Sequence, residues 1–173
     1  GVTTASLDAM EAFTAAFGRY GLAPTAFKPS SGIAEATLFI ATIAPDAKPT
    51  VVHLDPEHLA TGRAVRVTAD ARDGVPVVSC GQVARSEWAV VVDPASGAEL
   101  PDGEVGEFWL HGKNIGRGYW GRPEETRRTF GATLASRLGQ GSHAAGTPAG
   151  ATWLRTGHLV FYLDGELYVT GRM

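Results

Sequence analysis

The spacing of apolar residues predicts one helix at the start of the chain and short, mixed elements after it. Between residues 7 and 17, apolar side chains recur every three or four positions, which indicates an amphipathic helix that ends at Gly18. Residues 25–28 predict a short strand that Pro29 interrupts. The next apolar pattern, IAEATLFIAT, is compatible with either a helix or a strand.

The middle and the end of the chain have the pattern of β-strands. Residues 50–67 predict strand, short helix, strand, with Asp55 as the helix N-cap and Pro56 at its first position. From Val75 onward, three β-rich runs are separated by the turn signals PASG and PDGE. These runs are VPVVSC, QVARSEWAVVVD and GEVGEFWLHG. An Asp-Gly turn at 164–165 joins two further strands and is the strongest hairpin signal in the chain.

Two segments of different character lie between these strands. Residues 123–138 predict a helix that opens with Pro123 and carries two glutamates in its first turn. Residues 139–152 are rich in small residues and predict a mobile loop. The whole pattern predicts a fold of class α/β plus β, in which a partial α/β subdomain is followed by a distorted antiparallel β-barrel subdomain.

Composition and charge narrow the class of protein. The 173 residues are 44% hydrophobic and 19% charged, as in a soluble globular domain with a sizeable core. A net charge of -3 with scattered lysines and arginines argues against nucleic acid as a partner. The sequence has no apolar run of about 18 residues and no signal-peptide pattern, so we expect no transmembrane segment. The single Cys80 excludes an internal disulfide and suits a reducing, cytoplasmic location.

Three segments contain candidate chemistry, each with an ordinary structural alternative. KPSSGIAEAT joins a strand end, a turn that exposes backbone N–H groups and Glu35, which favours phosphate and Mg²⁺; a tight turn with a solvated glutamate is the alternative. HLDPEH contains two imidazoles and two carboxylates, but Asp55 and Pro56 already begin a helix, so we favour a polar turn over a metal site. In GEFWLHGKNIGRGYWGRPEET, Tyr119 and Trp120 either flank a ligand or fill the barrel.

Other catalytic arrangements have little support in the sequence. There is no GxSxG elbow, and no serine is marked as a nucleophile. Cys80 lies in a strand pattern among small and apolar residues, which indicates a packed thiol. By its local pattern, His158 in RTGHL is a core or surface histidine in the first strand of the hairpin.

Taken in order, these segments resemble the adenylate-forming superfamily, and specifically the fatty acyl-AMP ligases related to acyl-CoA synthetases. KPSSGIAEATLF is similar to the YGxxE core of that family, and the glycine-rich segment is similar to its GE…GY…PE.T motif. WLRTGHLVFYLDGELYVTGR resembles its RTGD…G.LY..GR tail. The three motifs occur in register over essentially all of the chain, and SEWAVVVD…ELPDGEVGEFWLHG is most similar to the long-chain ligases of mycolic-acid-type assembly.

The resemblance implies a reaction and a set of ligands. In that family a fatty acid carboxylate attacks the α-phosphate of ATP to give acyl-AMP and pyrophosphate, and the acyl group then passes to a carrier-protein thiol. The implied cofactors are ATP/AMP and Mg²⁺. The implied partners are a long-chain fatty acid and an acyl-carrier protein or polyketide synthase. An acyl-CoA synthetase that uses CoA, and a catalytically degenerate binding module on the same scaffold, are the alternatives.

Position within the motifs implies the roles of individual residues. Glu35 would be the catalytic carboxylate linked to Mg²⁺. The nucleotide-binding residues would be Ser31, Gly32, Ile33, Ala34, His158 and Arg172. Two of them depart from the family pattern. Ser31 replaces an aromatic residue that can stack on adenine, and His158 replaces an aspartate that accepts hydrogen bonds from the ribose hydroxyls.

The resemblance also implies boundaries along the chain. Residues 1–44 would end an α/β subdomain, residues 45–71 would be an insertion specific to the ligases, and residues 72–173 would form the barrel subdomain up to the hinge. The insertion favours a carrier protein over CoA as the acyl acceptor. Both ends of the chain look cut, because it opens on Gly1 and ends directly after a strand-like run. The phosphate loop and the lysine-bearing C-terminal domain that the resemblance implies are missing. The chain is therefore expected to be a fragment of the N-terminal domain that is inactive alone.

Overall fold

The computed structural model describes residues 6–173. In chain order its elements are α1 (Leu7–Phe17), β1 (Ser30–Ser31), β2 (Ala41–Thr42), β3 (Val51–Leu54), α2 (Pro56–Ala60), β4 (Arg66–Val67), β5 (Val75–Val78), β6 (Gln82–Val83), β7 (Glu87–Val92), β8 (Gly106–Gly112), α3 (Pro123–Phe130), β9 (Leu154–Leu163) and β10 (Glu166–Arg172). Single 3₁₀ turns lie at Gly18–Tyr20 and Ala34–Ala36.

The strands form antiparallel sheets that meet at one edge of the largest sheet. That sheet has four strands in the order β10-β9-β8-β7, and the smaller ones have the orders β1-β2-β6 and β4-β3-β5. At the β10 edge, Ser79 bridges Tyr168, and the Cys80 amide donates to the Leu167 carbonyl at 2.8 Å. The predicted class, α/β plus β with an antiparallel β-rich subdomain, is confirmed. Within residues 6–173 the sheets meet at this edge through isolated contacts and do not close into a complete barrel.

Both faces of the four-stranded sheet are covered by apolar side chains. On one face, Phe108 and Leu110 of β8 belong to the largest buried cluster. On the other face, Trp109 packs with Val90 and Trp153. Because neighbouring residues of β7 are buried on opposite faces, its sequence contains a continuous apolar run, AVVV, instead of an alternating pattern.

Capping and turn residues explain several element boundaries. Ser6 caps α1, which ends at the predicted Gly18. The Asp55 side chain accepts a hydrogen bond from the His58 amide at 2.9 Å, and Pro56 takes the first position of α2, as predicted. The predicted hairpin is also confirmed, since both residues of its Asp-Gly turn have positive φ angles, +52° and +76°. No helix in the described part of the chain is long and apolar enough to cross a membrane.

Two predicted elements differ from those observed. Residues 25–28 are not a strand; the strand begins after Pro29, where β1 finds its partner in β2. The predicted helix 123–138 ends at Phe130. Ala132 instead pairs with Trp153 in an antiparallel bridge, so contacts with a distant segment override the local helical pattern.

The segment predicted to be a mobile loop, residues 139–152, is anchored by one buried carboxylate. Glu99 is only 4% exposed. Its Oε2 accepts hydrogen bonds from the Leu138 amide at 3.0 Å and the Ser142 hydroxyl at 2.7 Å, and its Oε1 accepts from the His143 amide at 2.7 Å. The His143 ring stacks on Tyr162 with ring centres 4.0 Å apart. These contacts hold the start of the segment against the sheet, which the low sequence complexity did not indicate.

Replacing Glu99 with glutamine should destabilise this anchored segment. The amide keeps the size of the side chain but loses the charge and one acceptor oxygen, so we expect the free energy of unfolding to fall by about 1–3 kcal/mol. Urea denaturation followed by circular dichroism measures the change. Glu11→Gln, on the exposed face of α1, is the matched control and should leave stability nearly unchanged. Equal stabilities of the two variants would contradict the anchoring role of Glu99.

Candidate functional site

A cleft of about 980 Å³ lies where the segment after Pro29, helix α3 and the β9–β10 pair meet. It brings together all of the residues that the sequence predicted for the site. Its lining includes Ser31, Gly32, Ile33, Ala34, Glu35, His158 and Arg172. The first five come from the end of β1 and the turn after it, and the last two are paired in the register of β9 and β10. Their proximity is a finding, whereas their ligand roles stay predictions.

Backbone contacts give the turn after β1 its shape. The Ile33 carbonyl accepts hydrogen bonds from the Ala36 amide at 3.2 Å and the Leu38 amide at 2.8 Å. Gly32 passes so close to the Leu38 carbonyl oxygen that a Cβ on Gly32 would lie 1.6 Å from it. Glycine at this position is therefore required by the turn itself. Thr37 has a φ angle of +56°, which is strained for a β-branched residue.

The glycine-rich segment after β8 clamps this strained turn. The Thr37 hydroxyl donates to the Asn114 carbonyl at 2.6 Å, and the Asn114 side-chain amide donates to the Ala36 carbonyl at 2.9 Å. The Gly116 amide donates to the Glu35 carbonyl at 2.8 Å. Three hydrogen bonds between distant segments thus fix the backbone that carries Glu35.

The Glu35 carboxylate is held by Tyr119, whose hydroxyl donates to Oε1 at 2.6 Å. This hydrogen bond is the main reason why the pKa of Glu35 is lowered, and it also raises the pKa of Tyr119 to about 12. Tyr119 is itself fixed by Thr126 of α3, whose Oγ1 accepts from the Tyr119 amide at 2.9 Å. Tyr119 therefore positions Glu35, and the neighbouring Trp120 is fully exposed and does not fill the core.

The sequence did not predict the buried ion pair that lies beside the cleft. Glu107 of β8 is 1% exposed, and its Oε2 lies 2.9 Å from Arg155 Nε and 2.8 Å from Arg155 Nη2. Trp109 Nε1 donates to the same oxygen at 2.8 Å, and the Gly157 amide donates to Oε1 at 3.2 Å. The sequence did contain one indication of this pair, a glutamate within an apolar strand. A buried glutamate requires a cationic partner.

His158 is a buried residue on the cleft wall. His158 is 7% exposed, and its Nδ1 has no hydrogen-bond partner among residues 6–173. Burial, together with the nearby guanidinium of Arg172, lowers the pKa of His158, which favours the neutral form of the ring. The local interpretation as a core histidine and the position implied by the motif are therefore compatible.

Two minor candidates have structural roles. In HLDPEH, Asp55 caps α2 and lies 3.0 Å from His58 Nδ1. The described residues contain no cluster of three or more His, Cys, Asp or Glu side chains that could hold a metal ion. Cys80 is buried, and desolvation raises its thiol pKa to about 11. The HLDPEH segment is thus the end of β3 and the start of α2, with Asp55 as the predicted cap, and the prediction of a packed thiol is confirmed.

Comparisons with known proteins match the chain to a family and to curated relatives. Residues 5–120 match the family described as AMP-binding enzyme. The chain is 51% identical over 164 residues to a long-chain-fatty-acid–AMP ligase, FadD32, of Mycobacterium marinum, and 49% identical over 161 residues to its Mycolicibacterium smegmatis counterpart. These alignments cover 95% and 93% of this chain but 26% and 25% of the relatives. The chain thus spans about a quarter of the length of these curated relatives.

Several solved structures share the fold of this chain. A fatty acid AMP ligase from Legionella pneumophila superposes with a TM-score of 0.86 at 30% identity, covering 99% of this chain and 27% of that one. A fatty acyl-adenylate ligase from L. pneumophila, in complex with acyl adenylate and pyrophosphate, gives a TM-score of 0.84 at 30% identity over 99% of this chain and 28% of that one. An adenylation domain from a peptide synthetase module shares the fold, with a TM-score of 0.79 at 18% identity over 99% of this chain and 29% of that one.

Replacing Tyr119 with phenylalanine should raise the pKa of the Glu35 carboxyl toward its ordinary value of 4.5, because the hydroxyl that lowers it is removed. A carboxyl ¹³C NMR titration measures this change. Because the pKa of Glu35 is lowered in the folded state, the bond stabilises the fold above about pH 4.5, and this contribution is lost as the pH falls through the folded-state value. The stability difference between the wild type and the variant should therefore shrink on acidification.

The matched control for this titration is Trp120→Phe, since Trp120 is adjacent in sequence and fully exposed. It should leave the Glu35 titration unchanged. If Tyr119→Phe also leaves the pKa of Glu35 unchanged, the hydrogen bond does not govern the ionisation of this carboxylate.

Proposed function

This chain belongs to the AMP-binding enzyme family, and we propose from that membership that the whole protein activates a long-chain fatty acid with ATP to form acyl-AMP. The observation that carries the proposal is the convergence of the predicted nucleotide-site residues on one cleft. Support also comes from the 51% identity to a protein named a long-chain-fatty-acid–AMP ligase.

The proposed first step is a displacement at the α-phosphorus of ATP. An oxygen of the fatty acid carboxylate forms a bond to the α-phosphorus, and the bond from that phosphorus to the oxygen bridging to the β-phosphate breaks. Pyrophosphate leaves with the bonding electrons, and acyl-AMP remains. Such reactions depend on positioning and on cations that neutralise the developing charge. Arg172 lines the cleft, and no ion pair within residues 6–173 involves its side chain, so its guanidinium is free to approach the nucleotide.

Glu35 fits a role in holding Mg²⁺ beside the phosphates. One oxygen of its carboxylate is oriented by Tyr119, and no other side chain in the described part of the chain donates to it. The lowered pKa of Glu35 keeps the group ionised at neutral pH. Mg²⁺ in nucleotide sites is commonly bound by one or two carboxylates together with substrate phosphates and water, so one carboxylate from this chain is sufficient. When bound, the ion would neutralise charge on the phosphates.

In this proposal the nucleotide lies along the turn after β1 and against the β9–β10 pair. Ser31, Gly32, Ile33 and Ala34 line the adenine and ribose side. His158 and Arg172 lie next to the ribose. Ser31 has no aromatic ring that could stack on adenine, so adenine binding would depend on the backbone of the turn and on other groups that line the cleft.

The proposed second step transfers the acyl group to the thiol of an acyl-carrier protein or polyketide synthase. The thiol sulfur forms a bond to the acyl carbonyl carbon, the carbon–oxygen bond to AMP breaks, and the thiol proton is released. CoA is the alternative acceptor, because a relative that is 42% identical over 164 residues is named a putative fatty-acid–CoA ligase. The predicted insertion at residues 45–71 is our reason to prefer the carrier protein.

A direct test incubates the whole protein with ATP, Mg²⁺ and long-chain fatty acids and detects acyl-AMP by mass spectrometry. Glu35→Gln should lower the rate of acyl-AMP formation by about 10²-fold, because the neutral amide holds Mg²⁺ less tightly and the ion then neutralises less charge on the phosphates. Glu57→Gln, on an exposed turn of α2, is the control and should retain the wild-type rate. A folded wild-type protein that forms no acyl-AMP with any chain length, yet binds nucleotide, would favour the degenerate binding module instead.

The acceptor is identified by offering the preformed acyl-AMP complex both CoA and a carrier protein bearing a phosphopantetheine thiol. We expect the acyl group on the carrier protein, detected as a gain in its intact mass. Preferential formation of acyl-CoA would show that the protein is an acyl-CoA synthetase.

A further inference from the structure

Two enclosed acceptor oxygens lie next to the contacts that hold the turn after β1. Oε2 of Glu87, at the start of β7, and Oδ1 of Asn114 are shielded from solvent, and neither has a hydrogen-bond partner among residues 6–173. Glu87 pairs with Gly112 in the register of β7 and β8. A Cβ on Gly112 would lie 2.7 Å from Asn114 Oδ1 and 3.1 Å from Glu87 Cγ, so the two side chains meet above this glycine.

The orientation of the Asn114 amide is fixed by its other contact. Its Nδ2 donates to the Ala36 carbonyl at 2.9 Å, and a carbonyl oxygen can only accept. Turning the amide over would therefore bring two acceptors together at Ala36. Oδ1 stays on the side of Gly112 and Glu87, and it requires a donor there.

A proton on Glu87 supplies that donor. A protonated carboxyl group has one O–H, whereas a carboxylate can only accept. With the proton on Oε2, one hydrogen bond to Asn114 Oδ1 satisfies both enclosed oxygens; without the proton, both stay unpaired. Desolvation raises the pKa of Glu87 above its ordinary value of 4.5, and the contact with Asn114 offsets this rise only in part.

The charged and titratable neighbours of Glu87 do not neutralise it. They are Arg85 before β7, His111 on β8, Lys113 after β8, Arg155 and His158 on β9, and Glu35 in the turn. None of them forms an ion pair with Glu87 within residues 6–173. The His111 ring packs between Trp88 and Trp153, and Arg155 is paired with Glu107 toward the far end of β7. A negative charge on Glu87 would therefore lack a cationic partner in the described part of the chain.

Asn114 connects this pair of oxygens to the turn that carries Glu35. Its carbonyl accepts from the Thr37 hydroxyl at 2.6 Å, in addition to the amide contact with Ala36. Thr37 and Leu38 have φ angles of +56° and +74°, which are unfavourable for residues with a side chain. Leu38 is 69% exposed, so packing does not hold it in place. The shape of the turn thus depends on where Asn114 is held.

We propose that Glu87 is a positioning residue for Glu35: its protonated carboxyl group donates to Asn114 Oδ1 and so keeps Asn114 bound to the turn. Ionisation of Glu87 removes this hydrogen bond, and the turn is then held less firmly. The consequence for catalysis rests on the proposed function, in which Glu35 holds Mg²⁺. The stability that the bond contributes is complete below the ordinary pKa of 4.5 and is lost as the pH rises through the raised folded-state value.

A carboxyl ¹³C NMR titration of Glu87 in the whole protein gives the first test. We expect Glu87 to titrate with a pKa above 4.5. A value at or below 4.5 overturns the proposal, because the carboxylate would then be satisfied in its ionised form.

Two neutral variants separate the donor from the charge. Glu87→Gln keeps the shape of the side chain and an N–H donor at every pH, whereas Glu87→Met has a similar length and no donor. Hydrogen exchange of the Leu38 and Gly116 amides, which bond to the Ile33 and Glu35 carbonyls, reports how firmly the turn is held. Amides of the β9–β10 hairpin provide the internal reference.

The exchange protection of the turn should depend on pH in the wild type and not in Glu87→Gln. The two proteins should agree at acidic pH, and Glu87→Gln should be about threefold or more better protected above the folded-state pKa of Glu87. Glu87→Met should be less protected than Glu87→Gln at every pH. Glu57→Gln, with the same chemical change on an exposed turn, should follow the wild type throughout.

The rate of acyl-AMP formation provides the catalytic readout. The ratio of the Glu87→Gln rate to the wild-type rate should rise by about threefold over the same pH range, and the ratio cancels titrations that both proteins share. Thermal melts check that the variants are folded; if Glu87→Met is not, the comparison of Glu87→Gln with the wild type decides.

The remaining outcomes separate this inference from the proposed function. Protection in Glu87→Gln that equals the wild type at every pH, or a folded Glu87→Met that matches Glu87→Gln, overturns the role of the donor. A difference in protection with no difference in rate overturns the positioning of Glu35. A pH-dependent difference in protection in a protein that forms no acyl-AMP contradicts the proposed function and leaves the hydrogen bond between Glu87 and Asn114 supported.

Discussion

The buried carboxylate of Glu107 must be neutralised, and this requirement constrains how the strands of the central sheet pair beside the cleft. An unpaired charge at 1% exposure would be strongly destabilising, so its neighbours must neutralise it and occupy its oxygens. Trp109 does so from the same strand, and Arg155 and Gly157 do so from the adjacent strand. The contact spans the place where the β8–β9 register shifts. Satisfying this one charge therefore fixes the two strands together and sets where His158, the next residue, meets the cleft.

The rest of the cleft is shaped by the main chain more than by side-chain packing. Gly32 passes against the Leu38 carbonyl, and the segment around Asn114 holds the strained turn by its backbone and amide groups. The side chains of Ser31 and His158 make no hydrogen bond within residues 6–173. Their identity can therefore vary without breaking any of these hydrogen bonds.

Local signals in the sequence predicted the features that depend on neighbouring residues. Asp55 and Pro56 begin a helix and the Asp-Gly turn closes a hairpin because capping and turn chemistry act over a few positions. The motif resemblance also placed the cleft residues together. The end of α3 and the anchoring of the loop by Glu99 could not be predicted, because each depends on contacts between distant segments. The ion pair between Glu107 and Arg155 could not be predicted for the same reason, since the two residues are 48 positions apart.

The hydrogen bond between Glu35 and Tyr119 joins residues 84 positions apart, and the clamp at Thr37 joins residues 77 apart. Contacts of this range form only after long loops have closed, and that closure is entropically unfavourable. The cleft should accordingly be assembled late in folding, after the β9–β10 hairpin. It should also be among the first features lost in partial unfolding, because its few polar contacts are less protected than the apolar core. Native-state hydrogen exchange in the turn after β1 would then report on the integrity of the cleft earlier than any global probe of unfolding.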